Sequence, residues 1–399
     1  MLESIKNFIG GTGVARLIDS ADWWKTLVMY LIVAVLVYLA VVRKYEPLLL
    51  LPIAIGMLLT NLPGAAMFHF EFWVSEGAAE MTVLDSIRMV FENHGGFLDL
   101  AYIGVKTGLF PCLIFIGIGA MTDFSPLIAS PKYLFIGAGA QFGVFAAFAF
   151  ALLMGFAPEA AAAIGIIGGA DGPTAIMVTK ELAPGLLGAI AIAAYSYMAL
   201  IPMIQPPFMK LLTTKKERAI RMTTLRSVSK LEKVCFPILV TVIVGLIVPD
   251  AVPLIGCLMF GNLLNVSGVT ERLSKTAQNE MINIVTILLG LSVGATATAD
   301  QFLKPSTLLI IACGLSAFCI STVGGLLVAK FMCFVTGGKV NPLIGSAGVS
   351  AVPMAARVAQ KVGQEEDPTN FLLMHAMGPN VAGVIGSAVA AGVFLKWFM

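Results

Sequence analysis

The sequence predicts an all-α polytopic membrane protein with two inverted repeats of five spans, each with a re-entrant hairpin before its last span. Three observations lead to this prediction. Of the 399 residues, 58% are hydrophobic and only 12% are charged, which leaves too few charges to cover the surface of a soluble domain. Long apolar runs recur along the chain. Two of them are interrupted by glycine, proline and polar residues at corresponding places in the two halves.

The chain opens with an N-terminal segment, 1–25, that lacks the apolar core of a signal peptide. The first apolar run covers 26–42. It is followed by Arg43 and Lys44 rather than by a small-residue cleavage site. We therefore expect this run to be a retained span.

Ten apolar runs are read as membrane spans, for which about 20 residues are needed. They lie near 26–42, 47–63, 104–121, 133–154, 185–208, 235–249, 252–267, 281–298, 306–332 and 371–396. Five of them form a first membrane repeat over 26–209, and five form a second repeat over 234–399. The loop 210–233 joins the two repeats.

Two further apolar segments, 160–181 and 341–362, do not read as continuous helices. The first contains Gly172 and Pro173 beside two more glycines, and this combination will not sustain one helix. Irregular backbone at membrane depth is tolerated only where it is buried in protein or lines a cavity. Both segments are therefore predicted to be re-entrant hairpins.

Loop charge predicts the orientation. The loop 210–233, called the basic loop below, holds eight lysines and arginines against Glu217 and Glu232. By the positive-inside rule it is cytoplasmic. The loop 64–101 holds six acidic residues, and Arg88 is its only lysine or arginine, which fits the outside. The basic loop reaches the inside only if 160–181 re-enters instead of crossing.

Short blocks of the two halves align without gaps. Residues 164–178 match 344–358 at six positions, and the block from Pro52 to Leu62 resembles the one from Pro253 to Leu263. With five spans per half, the second repeat begins on the opposite side of the membrane, as in many secondary transporters. The two hairpins then enter from opposite faces and meet near the midplane.

Asp171, at the tip of the first hairpin, is the main candidate for ion binding. A carboxylate at membrane depth costs roughly 2.5–3.5 kcal/mol and is a functional hypothesis by default. The alternative is a helix cap at a tip that reaches water. Asn341, Ser346 and Ser350 punctuate the second hairpin. Their oxygens beside one carboxylate suit a hard cation, and one carboxylate balances the single charge of sodium or a proton.

Three other polar residues are candidates with ordinary alternatives. Arg357, on the returning arm of the second hairpin, can bind a carboxylate or reach the interface as a snorkelling side chain. Tyr197 is one of three adjacent polar positions, with Tyr195 and Ser196, in the span after the first hairpin. A tyrosine hydroxyl there is a possible proton donor, and the ordinary alternative is a packed tyrosine. Asn380 interrupts the last span and ranks second, as does Ser346. From these residues alone, the chain is an ion transporter.

The run from Gly168 to Ile176, GGADGPTAI, resembles the signature of the β subunits of sodium-pumping, biotin-dependent decarboxylases. That family includes the oxaloacetate, methylmalonyl-CoA and glutaconyl-CoA decarboxylases. The resemblance extends through Glu46–Pro52, Asn341–Pro342, Val352–Arg357 and Gly378–Gly383. It implies that a separate α subunit transfers carboxylate to biotin. Carboxybiotin is then decarboxylated on this chain while sodium moves outward and a proton is consumed.

The resemblance also implies a set of site residues, namely Asp171, Tyr197, Asn341, Gly345, Ser350 and Arg357. Asp171, Asn341, Gly345 and Ser350 would bind sodium. Asp171, Tyr197 and Arg357 would carry the catalysis, with Tyr197 and Arg357 serving the proton or the carboxybiotin.

The implied partners are a carboxyltransferase α subunit, a biotin carrier, a small membrane-anchored γ or δ subunit and further copies of this chain. The implied location is the inner membrane of a bacterium or archaeon. No soluble stretch is long enough to fold as a biotin domain, so the biotin is expected on a partner chain.

A stand-alone secondary transporter is the alternative function. A sodium/proton antiporter or a sodium-coupled carboxylate carrier would show the same composition and the same inverted repeat. The GGADGPTAI run favours the decarboxylase subunit, but only through the resemblance. Neighbouring genes for a carboxyltransferase and a biotin carrier would separate the two functions.

Overall fold

The computed structural model describes residues 10–74 and 81–399, and every regular element within these two ranges is helical. The prediction of an all-α chain is therefore confirmed. Residues 1–9 of the predicted N-terminal segment and 75–80 of the acidic loop lie outside the described residues.

The helices follow the predicted spans closely. Those of the first half are Gly13–Asp19, Trp23–Val41, Pro47–Thr60, Glu71–Val74, Val83–Glu92, Phe97–Lys106, Leu109–Met121, Ser125–Ala129, Tyr133–Leu153, Pro158–Gly165, Gly172–Leu182 and Leu187–Leu212. The basic loop contains the short helix Lys215–Arg218. Those of the second half are Lys230–Ile247, Val252–Val266, Glu271–Thr276, Ile282–Ala295, Ala299–Phe302, Pro305–Val335, Met354–Glu366 and Leu373–Phe398. Each of the ten predicted spans overlaps a helix.

Five helical stretches within the described residues are long and apolar enough to cross a membrane. They are Trp23–Val41, Tyr133–Leu153, Pro249–Val266, Pro305–Val335 and Leu373–Phe398. The number rises to seven if two bent helix pairs each count as one span. The chain is therefore a polytopic membrane protein, while ten full crossings remain a prediction.

The predicted third span, 104–121, is not one straight helix. The chain turns by 66° between Phe97–Lys106 and Leu109–Met121. Gly108 stands at the bend with φ +75°, a conformation that glycine adopts without steric cost. Lys106 and Thr107 directly precede this glycine, so the bend coincides with a short interruption of the apolar run that the predicted span passed over.

The first broken segment, Pro158–Leu182, is discontinuous as predicted. Its first helix tightens into a 3₁₀ turn at Ile166–Gly169 and stops at Ala170, which has φ +54°. Asp171 is extended, and a new helix begins directly after it. The break therefore falls within the GGADGP run that sequence analysis singled out.

The second broken segment, Asn341–Glu366, is also discontinuous. It begins with a 3₁₀ turn at Pro342–Gly348 and becomes extended at Val349. A helix then runs over Met354–Glu366. Ser350 lies in the irregular stretch between these elements, so both broken segments place a polar residue at their interruption.

Helices of the two halves pack against each other reciprocally. Pro47–Thr60 packs on Ile282–Ala295, and Leu109–Met121 packs on Val252–Val266. In the order of the predicted spans, the second span of each half meets the third span of the other. The fourth spans, Tyr133–Leu153 and Pro305–Val335, meet each other; both also contact the broken segments.

Glycines permit this close packing. A Cβ atom on Gly56 would overlap the carbonyl oxygen of Leu291, and one on Gly261 would overlap that of Ile116. Small residues at such positions let helix backbones approach closely, which is the usual basis of helix association in membranes.

Candidate ion-binding site at the two chain breaks

The carboxylate of Asp171 lies inside the protein at the break of the first segment. The residue is only 5% exposed. Oδ1 accepts a hydrogen bond from the backbone N–H of Thr174 at 3.4 Å, so Asp171 caps the helix that follows it. Oδ2 accepts one from the Ser387 hydroxyl at 2.8 Å. Asp171 therefore caps a helix. The alternative of a simple cap required that this tip reach water, and the buried carboxylate does not.

Ser350 joins the second break to the first. Its backbone N–H donates to the carbonyl oxygen of Gly169 at 2.9 Å. Its hydroxyl donates to the hydroxyl of Ser387 at 3.0 Å. Hydrogen bonds thus run from Ser350 through Ser387 to Asp171 and link both broken segments to the last helix, Leu373–Phe398.

Several buried oxygens around the hydrogen bonds that join Ser350, Ser387 and Asp171 have no hydrogen-bond partner in the part of the protein that the structure describes. They are Thr174 Oγ1, Tyr195 OH, Gln141 Oε1 and Asn380 Oδ1. Unsatisfied buried polar atoms are uncommon in native proteins, and an ion or water often accounts for them. Hydroxyl, amide and carboxylate oxygens are suitable ligands for a hard cation.

Thr174 lies directly after the first break, and the other three residues reach the two breaks from three further helices. The Tyr195 ring packs so closely on Gly172 that a Cβ there would overlap it. The Gln141 side chain lies beside Gly386, and its Oε1 would be 3.6 Å from a Cβ on Gly169. The Asn380 amide donates to the carbonyl oxygen of Ala347, in the 3₁₀ turn of the second segment, at 2.9 Å and to that of Val349, in the irregular stretch after it, at 2.6 Å. Asn380 thereby holds that stretch against the last helix.

Gly345 and Ser346 shape the second segment but have no hydrogen bond to Asp171 in the described structure. A Cβ on Gly345 would overlap the carbonyl oxygen of Gly325, so a side chain there would push the segment away from Pro305–Val335. The Ser346 hydroxyl donates to the carbonyl oxygen of Leu343 at 2.9 Å. This local backbone bond is the ordinary alternative weighed for the serines.

Asn341 is not brought to Asp171. Its amide nitrogen donates to the carbonyl oxygens of Arg218 and Ile220 at 2.9 and 2.8 Å. Its Oδ1 accepts from the N–H of Leu343 at 3.0 Å. The side chain therefore fastens the second broken segment to the basic loop, and its role as a sodium ligand stays a prediction.

The far end of the second broken segment attaches to the same loop. Glu366 forms an ion pair with Arg218 at 2.6 Å, and Asp367 forms one with Arg221 at 2.6 Å. The Arg221 guanidinium, with hydrogen bonds from Thr369, lowers the pKa of Asp367 to about 2. Asp367 is therefore ionised at neutral pH, and both ends of the segment are held by one loop.

Tyr197 and Arg357 lie outside the hydrogen-bonded group at Asp171. The Tyr197 hydroxyl donates to the carbonyl oxygen of Ile311, whereas Tyr195, two residues earlier, faces Gly172. Arg357 is exposed, and its charge acts on the carboxyl group of Glu46. Their roles in catalysis remain predictions.

A cavity of about 380 Å³ adjoins the two breaks. Its lining includes Pro173 and Val352, each two residues beyond the polar residue of its break, together with Glu46, Tyr195 and Gln278. This volume is within the range of small-molecule sites. The lining extends from Glu46 to Tyr195, whose ring packs on Gly172, the residue after Asp171.

Comparison with known proteins identifies the relatives of this chain. The family described as "Na+-transporting oxaloacetate decarboxylase beta subunit" matches residues 25–398. The chain belongs to this family. The methylmalonyl-CoA decarboxylase subunit beta of Propionigenium modestum is 55% identical over 399 residues, covering 100% of both chains.

Other decarboxylase β subunits are similarly related. The glutaconyl-CoA decarboxylase subunit beta of Acidaminococcus fermentans is 55% identical over 372 residues, 93% of each chain. The probable oxaloacetate decarboxylase beta chain of Pasteurella multocida is 53% identical over 434 residues, 99% of each chain. The resemblance found in the sequence is confirmed, and the chain is a membrane subunit of a sodium-translocating decarboxylase.

Sequence reasoning on this β subunit missed Ser387. It named Tyr195, Ser196 and Tyr197 together as polar positions, and the family resemblance then selected Tyr197. One signal for Ser387 was present: it follows Asn380 by seven residues, which places both on one face of a helix. No local signal distinguished the two tyrosines. Which of them faces Asp171 depends on the rotation of Leu187–Leu212 about its axis.

Proposed function

We propose that this chain binds sodium at Asp171, Ser350 and Ser387 and couples its outward transport to the decarboxylation of carboxybiotin. The observation that supports this most directly is the hydrogen-bonded path from Ser350 through Ser387 to the buried carboxylate. It joins both chain breaks. Membership of the sodium-transporting decarboxylase family supports this function over a stand-alone antiporter or carboxylate carrier.

The proposed architecture is that of two inverted repeats, 26–209 and 234–399, with re-entrant hairpins. The reciprocal packing of second and third spans supports the repeat. The attachment of both ends of the second broken segment to the basic loop supports a hairpin that returns to the face it entered from. At the first segment, Lys180 near its end donates to the carbonyl oxygen of Lys106 at 3.2 Å, on the predicted outer side.

Sodium binding follows from charge and geometry. The carboxylate of Asp171 balances one positive charge, and the hydroxyl groups of Ser387 and Ser350 are within hydrogen-bonding distance of it or of each other. The unpartnered oxygens of Gln141 and Thr174 are available as further ligands. Asn341 and Gly345, implied by the family, act on this site through the shape of the second segment.

Carboxybiotin is proposed to enter the cavity of about 380 Å³. Arg357, near Glu46 at one side of the cavity, attracts the carboxylate during entry. When the N–CO₂ bond breaks, carbon dioxide leaves, the electron pair stays on the ring nitrogen, and a proton restores the N–H. Tyr195 lines the cavity, and its hydroxyl has no hydrogen-bond partner in the described structure. It is therefore placed to deliver that proton, with Tyr197 as the family-implied alternative.

Coupling requires that each ligand favour the state that binds the other. A ligand shifts a conformational equilibrium only by its differential affinity for the two states. If sodium increases the affinity for carboxybiotin, carboxybiotin increases the affinity for sodium by the same factor. Sodium at Asp171 stabilises the contact between the two broken segments, which also form part of the carboxybiotin cavity through Pro173 and Val352. When carbon dioxide leaves, the contacts of carboxybiotin with the cavity are lost, and the contact between the two broken segments is lost with them.

The partners proposed are a carboxyltransferase α subunit, a biotin carrier, a small membrane-anchored γ or δ subunit and further copies of this chain. The relatives are β subunits for three different acids or acyl-CoA esters. The choice of acid therefore belongs to a partner and not to this chain.

Reconstitution with the partner subunits in proteoliposomes tests this function. Sodium uptake should occur only while the acid substrate is being decarboxylated, and avidin, which sequesters biotin, should stop it. Sodium uptake by the purified chain that follows a proton gradient and ignores avidin would replace the proposal with an antiporter.

A further inference from the structure

A second cavity, of about 600 Å³, lies where the basic loop meets the start of the last helix. It is separate from the cavity beside Asp171. The chain segments around it come from three parts of the sequence. Its charged and aromatic lining consists of Asp123, Arg221, Arg226, Lys233, Phe371 and His375.

Two of the three cations that line this cavity are held in ion pairs. Arg221 is paired with Asp367 at 2.6 Å, and Arg226 is paired with Glu232 at 2.7 Å. Lys233 has no ion-pair partner within residues 10–74 and 81–399. The one acidic residue of the lining, Asp123, accepts a hydrogen bond from the backbone N–H of Ser125 at 2.9 Å. Lys233 is thus a cation available to a ligand.

A buried histidine supplies a second polar group. His375 is 5% exposed and lines the cavity. Its Nδ1 lies 3.0 Å from the Tyr133 hydroxyl, while its other ring nitrogen has no hydrogen-bond partner among the described residues. Beside it, Phe371 and Met374 are 73% and 53% exposed. The cavity therefore combines a free cation, an imidazole nitrogen and an exposed apolar rim.

We propose that this cavity docks the protein that carries carboxybiotin, through an acidic side chain bound by Lys233 and an apolar neighbour packed on Phe371 and Met374. The proposal rests on the proposed function, which requires such a carrier on another chain. Charge complementarity points to an acidic partner, since the whole basic loop is positive. The apolar rim points to a protein rather than to a small inorganic anion, which gains nothing from apolar contacts.

The position of the cavity explains why docking there serves the reaction. Arg221, in its lining, pairs with Asp367 at the end of the second broken segment. Arg218, three residues earlier, pairs with Glu366 and accepts from the Asn341 amide through its carbonyl oxygen. A carrier bound here contacts the same loop that holds both ends of the segment carrying Ser350.

Charge reversal at Lys233 tests the proposal, with Lys230→Glu as the matched control. Lys230 is the first and Lys233 the fourth residue of Lys230–Ile247, so both changes place a carboxylate near the same helix N-terminus. The Lys230 Nζ would be 3.4 Å from a Cβ on Gly268, and Lys230 does not line the cavity. Phe371→Ala is a second test variant, because Phe371 is too exposed for folding to depend on it.

The assay compares two substrates on the purified full chain in phosphatidylcholine vesicles with and without phosphatidylglycerol: the carboxylated biotin carrier added in trans, and free N-carboxybiotin. Lys233→Glu should raise KM for the carrier at least tenfold. It should leave kcat and the KM for free carboxybiotin unchanged. Phe371→Ala should raise the same KM severalfold, and Lys230→Glu should change it less than threefold.

Three results would overturn the docking site. The first is a KM for the carrier that Lys233→Glu leaves unchanged, and the second is an equal increase in KM for the carrier and for free carboxybiotin. The third is an increase in KM that Lys233→Glu causes only when phosphatidylglycerol is present, which would assign the cavity to a lipid headgroup. If the unmodified chain fails to decarboxylate free carboxybiotin in sodium, the proposed function fails instead, and the two failures are distinguishable.

Discussion

Replacing Ser387 with alanine removes one oxygen from the centre of the candidate site. The hydroxyl donates to Asp171 Oδ2 at 2.8 Å, accepts from Ser350 Oγ at 3.0 Å and lies 3.0 Å from the Val384 carbonyl oxygen. The residue is fully buried. Alanine is a good helix former and fits the same space, so the helix Leu373–Phe398 should persist.

The magnitude follows from the type of bond that is lost. A hydrogen bond to a charged group contributes about 1.5–3 kcal/mol, and a factor of ten in affinity corresponds to about 1.4 kcal/mol. If Ser387 orients the Asp171 carboxylate or binds sodium itself, the half-saturating sodium concentration should rise about 10- to 100-fold. The rate at saturating sodium should change much less, because the carboxylate that balances the ion is still present.

The assay is the sodium dependence of decarboxylation by the reconstituted complex. Ser292→Ala is the matched control, since Ser292 is fully buried in Ile282–Ala295 and its hydroxyl donates to the Leu288 carbonyl oxygen at 2.6 Å. The control should change the half-saturating sodium concentration less than about twofold, because a hydroxyl bonded to its own helix backbone adds little. If Ser387→Ala behaves like the control, Ser387 has no part in sodium binding.

Three further predictions concern the site, the topology and the packing. Asp171→Asn should abolish sodium uptake in an inserted, folded protein, because asparagine caps a helix as well as aspartate but cannot balance the ion; retained uptake would leave Asp171 a structural cap. A cysteine at Ser227, in a background without the six native cysteines, should be labelled only from the cytoplasmic side, and labelling only from outside would reverse the topology. Gly261→Ala should lower the free energy of unfolding, followed by thermal unfolding, by roughly 1–3 kcal/mol, because the added methyl group overpacks the helix contact. Gly256→Ala is the control and should not destabilise the protein, since its Cβ would lie 3.8 Å from Val252.

The helices were predictable from the sequence because hydropathy is a local property. The predicted boundaries of most spans lie within a few residues of the helix ends, and the break at Asp171 followed from Gly172 and Pro173, which disfavour a continuous helix. The bend at Gly108 was missed: Lys106, Thr107 and Gly108 interrupt the apolar run, but their average hydropathy is absorbed by the apolar residues on either side, and the positive φ of Gly108 is not a hydropathy signal.

The composition of the site was only partly predictable. Asp171 and Ser350 were recognised as polar residues in broken segments. Ser387 comes from a helix far along the sequence, and nothing local shows that it reaches Asp171. Asn341 resembled a ligand in the sequence, yet its side chain is occupied by carbonyl oxygens of the basic loop. Such pairings depend on tertiary packing.

The register of the proposed repeat shows the same limit. The blocks beginning at Pro52 and Pro253 align well as sequence. In the packed structure, however, Gly56 and Gly261 occupy equivalent contacts. The spacing from Gly56 to Gly261 is four residues longer than the spacing from Pro52 to Pro253, which is about one helical turn. Helix packing constrains which face is buried, and a shift of one turn preserves that face.

The most direct test of coupling is the sodium requirement of the chemical step itself. Preformed carboxybiotin on its carrier is mixed with the reconstituted complex in sodium or in choline, and the release of carbon dioxide is followed. Because sodium and carboxybiotin must favour the same state if they share one site, decarboxylation should fall to the background rate in choline and recover when sodium is added. Equal rates in sodium and choline would contradict a coupled site at Asp171.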